Sequence, residues 1–90
     1  MERQELELEF KRIVGGDNFM TPVIIDYFER GSYIIELSTG NGKFCGLYCY
    51  GVTIADTKTR KHLIDLSKNF SSPCEKIALK NAMDYIASFS

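Results

Sequence analysis

The stretch PVIIDYFERGSYIIELS, residues 22–38, constrains the fold more than any other part of the chain. It is rich in β-branched and aromatic residues, and Arg30-Gly31 supplies a tight turn at its centre. Pairing about that turn predicts an antiparallel hairpin with Ile24, Phe28, Tyr33, Ile35 and Leu37 on one face, Asp26 being the exception. The other face mixes Val23, Ile25, Tyr27 and Ile34 with Glu29, Ser32, Glu36 and Ser38. An antiparallel sheet is therefore the framework into which the remaining segments must fit.

TGNG at 39–42 breaks the chain, and a long strand is expected over 44–55, followed by the turn DTKTR and a further strand at 61–67. Asp56 and Lys61 would face each other across that second hairpin. In SSPCEKIALKNAMDYIASF, Ser72 reads as an N-cap, Pro73 as the first helical residue and Glu75 as the third, which predicts a helix over 73–88. Its apolar face would carry Cys74, Ala78, Leu79, Ala82, Tyr85, Ile86 and Phe89, with Ile77 outside the stripe. Residues 2–14 alternate like a strand in ELELEF, yet Leu6, Phe10, Ile13 and Val14 also line one helical face. Glu7 lies four residues before Lys11, and Gly15-Gly16 suits a helix stop, so a helix is favoured there over a fifth strand. The expected fold class is α+β: a four-stranded antiparallel meander with a helix at each end packed on one face.

Ninety residues make one domain, spanning 1–90, near the lower end of what folds without disulfides or metal. A charged fraction of 26% and a hydrophobic fraction of 44% are those of a soluble globular chain. No apolar run reaches the roughly 18 residues of a membrane span. The acidic opening MERQELELEF lacks the apolar core of a secretory signal. Three cysteines form no paired framework, so a cytoplasmic setting is expected. The net charge of −1 divides unevenly. Residues 1–42 hold eight acidic and four basic side chains, net −4, and residues 43–90 hold four acidic and seven basic ones, net +3. The halves can complement each other within the fold or a dimer, or the basic half can meet an anionic partner.

GNGKFCGLYCYGVTI, residues 40–54, brings two cysteines close together, and Cys45, Cys49, His62 and Cys74 make a nominal zinc set. Zinc needs ligand sulfurs within roughly 4 Å of one another. Residues four apart in a strand are separated by about 13 Å. Cys45 and Cys49 can share neither a metal nor a disulfide unless the chain folds back at Gly46, and no metal or cofactor is expected. Alternation instead puts Cys45, Leu47, Cys49, Gly51, Thr53 and Ala55 on one side and Phe44, Tyr48, Tyr50, Val52 and Ile54 on the other. The small row suits close approach of the Ala78/Ala82 helix, which would leave the aromatic row, with Tyr27 and Ile34, on an open face. Cys74, on the core side of the helical wheel, is expected to be packed and inert.

GNGK lacks the spacing, the Ser or Thr and the following helix of a phosphate loop, and reads as a hairpin loop. The single histidine has no sequence signal of a paired nucleophile, so enzymatic activity is not expected. The helix–sheet–helix order resembles that of double-stranded-RNA-binding domains, but Pro73-Cys74-Glu75-Lys76 breaks their basic signature, and no family is assigned. Two functions remain. The first is a non-enzymatic protein-interaction module, such as an inhibitor or a self-associating subunit, binding through Tyr48, Tyr50, Tyr27 and Ile34 on the open face. The alternative is nucleic-acid binding through Lys58, Arg60, Lys61 and His62 in the basic hairpin 57–62.

Overall fold

The computed structural model describes residues 2–15, 23–40 and 42–89. The elements run α1 (Arg3–Val14), β1 (Val23–Arg30), β2 (Tyr33–Thr39), β3 (Tyr48–Asp56), β4 (Lys61–His62), β5 (Lys68–Ser72) and α2 (Glu75–Ala87), with a 3-10 turn at Ile64–Leu66. The fold is α+β. β1 to β4 follow one another in meander order, and β5 also pairs with β3. Among the described residues no helix is long and apolar enough to cross a membrane.

The fourth position in the sheet is shared by two short strands. β4 pairs Lys61 with Asp56, as expected, and His62 with Ala55; β5 pairs antiparallel with Tyr48 to Val52. The strand expected over 61–67 stops at His62 because the 3-10 turn lifts the chain off β3. Ile54, opposite the gap, keeps its main-chain partners: its N–H donates to Ser67 Oγ (3.1 Å) and its carbonyl accepts from the Leu63 N–H (2.8 Å). Pairing resumes at Lys68 in KNFSS, whose composition does not announce a strand.

Strand pleating assigns the two cores. On one face Ile35, Leu37, Tyr50, Val52 and Ile54 lie beneath Ala78, Ala82 and Ile86 of α2. On the other, Tyr27, Ile34 and Ala55 lie beneath Leu6 and Phe10 of α1. The two helices thus take opposite faces rather than sharing one, because both faces carry apolar side chains that need a cover. The N-terminal segment is a helix, as favoured: Gly15 ends it at φ +68°, with its N–H on the Lys11 carbonyl (2.8 Å).

At two places the local structure departs from the sequence pattern. Ile24 pairs with Ser38 and Asp26 with Leu37, so Ile25 is the extra residue of a bulge. The bulge moves Ile24 from its expected place beside Phe28 to the α1 face, where it packs half-buried against that core. At the other end of the chain, Ser72 is the last residue of β5, paired with Tyr48, and therefore cannot cap the helix. Its hydroxyl accepts from the Cys74 N–H (3.1 Å), Cys74 takes the N-cap position without a side-chain cap, and α2 begins at Glu75.

Candidate functional site

The open aromatic face does not form. The row Tyr50, Val52 and Ile54 lies beneath α2, and Tyr50 is buried. Its phenol donates to Glu75 Oε1 (2.9 Å) in the first turn of the helix. Burial, and then the carboxylate, push the Tyr50 phenol above the ordinary tyrosine range. Tyr27 and Ile34 are buried on the opposite side, under α1. The four predicted partner-binding residues are therefore split between two cores, and only Tyr48 is half-exposed. Alternation grouped the β3 aromatics correctly but could not say which row the helix would cover. The alanines of α2 sit on large sheet residues, small against large, while the row Cys49, Gly51, Thr53 and Ala55 faces the other way.

Tyr27 and Glu36 form a polar pair inside the α1 side. The Tyr27 phenol donates to Glu36 Oε2 (2.7 Å). Burial and the adjacent carboxylate push the phenol well above the ordinary tyrosine range. Burial also raises Glu36, although the Tyr27 hydrogen bond and the Lys11 charge pull against it. Every buried side-chain nitrogen and oxygen among the described residues has a partner, so this pair is a satisfied structural network.

The basic hairpin is partly neutralised within the fold. Arg60 donates to Glu9 of α1, and Lys61 stands opposite Asp56 across β3–β4. The Lys58 N–H donates to Asp56 Oδ1 (2.9 Å), closing the turn. His62 is exposed at the rim of a shallow groove of about 620 Å³ formed with Asp65, Ile64, Leu66 and Tyr33. His62 Nε2 lies 3.5 Å from Ser67 Oγ, but that hydroxyl already donates to the Leu63 carbonyl (2.9 Å) and accepts from the Ile54 N–H (3.1 Å). Ser67 is spent on the main chain.

The chain does fold back at Gly46, so the spacing argument against a shared ligand set no longer applies there. Phe44 and Leu47 bridge each other around Cys45 (φ +53°) and Gly46 (φ +78°), which replaces the first residues of the expected strand with a tight turn. Among the described residues, no three His, Cys, Asp or Glu side chains converge on a common point. Cys45, Cys49 and Cys74 are free and exposed; Cys74 lies at the N-cap and not on the packed face.

That turn is the most unusual surface feature. The Phe44 N–H donates to the Leu47 carbonyl (2.9 Å) and the Leu47 N–H to the Phe44 carbonyl (3.0 Å), so the tip is held by main chain on both sides. Two consecutive residues at positive φ give the twist that suits a two-residue hairpin. On this fixed turn Phe44 is 80% exposed, the most of any large apolar residue described, and Leu47 is exposed beside it. Lys43 Nζ lies 5.3 Å from the centre of the Tyr48 ring at its base. The sheet register brings the start of β1, the end of β5 and hence the start of α2 to this same end, adding exposed Val23 and Ile77. Phe44 was grouped with the aromatic row in the sequence, but only the glycine density of GNGKFCG hinted that it stands on a turn. Compared with protein-family models, curated proteins and solved structures, the chain matches none of them.

Proposed function

We propose that the chain is a non-catalytic protein-interaction module that binds its partner through the hairpin tip, with Phe44 as the anchor. The observation that carries this reading is the exposure of Phe44 on a turn closed by two main-chain hydrogen bonds. A large aromatic side chain held in water by a rigid turn keeps its full burial free energy for a partner, and little conformational entropy is left to lose. Leu47, Tyr48 and Ile77 widen the apolar end, and Lys43 and Lys76 give it a basic rim. The complementary partner surface is an apolar pocket with an acidic border. The basic hairpin offers less for nucleic acid, since Arg60 is engaged by Glu9 and Lys61 faces Asp56.

Site-specific photo-crosslinking separates the two. A photoreactive side chain at position 44, in protein exposed to extract of its native host, is expected to give a protein adduct that nuclease leaves intact. The same group at position 58 is expected to give none. Adducts confined to position 58 and abolished by nuclease would replace this reading with the nucleic-acid one.

A further inference from the structure

The hairpin tip and the groove beside His62 stand at opposite ends of β3. Phe44 and Leu47 come just before Tyr48, the first residue of the strand, whereas Asp56, its last, lines the groove. Nine residues of extended chain, at about 3.3 Å each, keep the two roughly 25–30 Å apart, so the tip cannot reach the groove of its own chain. The apolar lining of the groove comes from Tyr33, Leu63, Ile64 and Leu66. Ile64 is 72% exposed, second only to Phe44 among the large apolar residues described. Like Phe44, it is held in water by a fixed turn. The Leu66 N–H donates to the Leu63 carbonyl (3.2 Å), the Ser67 N–H to the Ile64 carbonyl (3.1 Å) and the Tyr85 phenol to the Leu66 carbonyl. The two ends also differ in charge. With His62 neutral, Asp56 and Asp65 against Lys61 leave the groove at −1, and Lys43 and Lys76 against Glu75 leave the tip at +1. Asp65 is exposed and carries no ion pair among the described residues.

We infer that the groove receives the hairpin tip of a second copy of this chain, so that copies add head to tail. The inference rests on the reading of the tip as a binding element and names the surface it binds. An apolar pocket with an acidic border is the complement of Phe44 and its basic rim, and the groove of the next copy is such a pocket. Its volume of about 620 Å³ leaves room for the Phe44 and Leu47 side chains together. Phe44 and Leu47 cover Ile64 and Leu66, and Lys43 and Lys76 come to Asp65 and Asp56. Burying the two most exposed apolar side chains against each other drives the contact, and the charges fix its orientation. The contact joins two different surfaces, so every copy added leaves one tip and one groove unused, and growth does not stop at two.

Sedimentation of single and mixed variants tests it. Phe44→Ala and the double variant Ile64→Ala/Asp65→Lys change exposed side chains only, so both proteins fold, as circular dichroism will confirm. Wild-type protein is expected to grow past the dimer as its concentration rises to about 1 mM, and each variant alone to associate about tenfold more weakly or worse. An equimolar mixture of the two is expected to regain the wild-type contact but to stop at two chains. Phe44→Ala supplies only a groove, and the double variant only a tip. Wild-type protein that stays monomeric, a double variant that associates like wild type, or a mixture no larger than its components overturns the proposal. Photo-crosslinking from position 44 to a different protein, with the wild-type chain monomeric, would overturn self-assembly and leave the interaction reading standing. The absence of any protein adduct from position 44 would remove that reading itself.

Discussion

The two faces of the sheet are closed in different ways. Beneath α2, Ile35, Leu37, Val52, Ile54 and Ile86 are fully buried, and an aromatic fringe packs around them, Phe89 edge to face with Tyr33 and Tyr85, and Phe70 tilted against Tyr85. The Tyr85 phenol also donates to the Leu66 carbonyl, which ties the 3-10 turn to the helix. Beneath α1 the seal is thinner. Leu6 and Phe10 are the helix's buried residues, and Phe10 meets the Tyr27 ring edge-on with centroids 5.6 Å apart. Ile13, Val14 and Ile24 pack half-buried at its edge, and polar contacts complete it: the Tyr27–Glu36 bond, the Arg3–Asp26 pair and the Arg60–Glu9 pair. Exposed ion pairs contribute little, whereas continuous hydrocarbon burial contributes most of a small domain's stability. One face holds the fold together, and the other holds a helix.

That contrast fails or survives on two truncations. Ile54→Ala, at a fully buried position under α2, is expected to cost about 3 kcal/mol and to lower the denaturant midpoint equally by every probe. Phe10→Ala is expected to cost less, about 2 kcal/mol, because a helix with only Leu6 and Phe10 buried and Ile13 and Val14 half-buried can lift off rather than leave a cavity. Its signature would be hydrogen exchange: protection lost over 3–14 and retained over β2 and β3. If Phe10→Ala costs as much as Ile54→Ala and opens the whole sheet, the two faces are equals and the comparison is void.

The same contrast marks what the sequence could say. The hairpin, the Asp56–Lys61 pair and the α1 stripe of Leu6 and Phe10 were legible because period and turn chemistry act locally, although the turn falls at Gly31-Ser32 and not at the expected Arg30-Gly31, since Arg30 pairs with Tyr33. Alternation likewise put Tyr50, Val52 and Ile54 on one side of β3. It could not choose the side for α2, since that depends on how Ala78 and Ala82 mesh with the row below, a contact between distant segments. The bulge at Ile25 leaves no compositional trace, and it alone moved Ile24 to the other face. Ser72 carries a cap's identity, but its pairing with Tyr48 spent its backbone on the sheet. Of the four aromatic-face residues only Tyr48 stays near the surface, and the tip that replaces them stands on a turn whose φ values no periodicity encodes.

Glu36 sharpens the comparison at smaller scale, because it is the carboxylate that the α1 side half-buries. Burial raises it above the ordinary range, so the folded state favours its neutral form. Its contribution to stability is full at acid pH, below the unfolded value, and is lost as pH rises through the raised folded one. Glu36→Gln, which keeps the shape and cannot ionise, is therefore expected to gain on wild type over that window and hold a constant advantage above it, by less than Phe10→Ala costs. Denaturant midpoints of both proteins across pH read the difference directly. Adding Tyr27→Phe removes the donor that favours the charged form, and the window is expected to move to still higher pH. A difference curve flat from acid to neutral pH would mean that Glu36 is solvated and the α1 side is not a dry interface.

The smallest expected effect on stability falls at the residue on which the proposed function rests. Phe44 gives most of its surface to water, so truncation removes little burial, and the turn is closed by main-chain bonds that alanine keeps. Phe44→Ala is expected to leave the denaturant midpoint within about 0.5 kcal/mol of wild type. The contrast with Phe10→Ala is the informative part: one phenylalanine seats a helix, and the other stands outside the fold on a structure built to hold it there. A small loss in Phe44→Ala, with photo-crosslinking or pull-down to the partner gone, makes the tip a binding element maintained without benefit to folding. A loss approaching that of Phe10→Ala would show the ring packing against its own chain in solution. Exposure would then no longer separate Phe44 from the core aromatics, and the interaction reading would lose the observation that carries it.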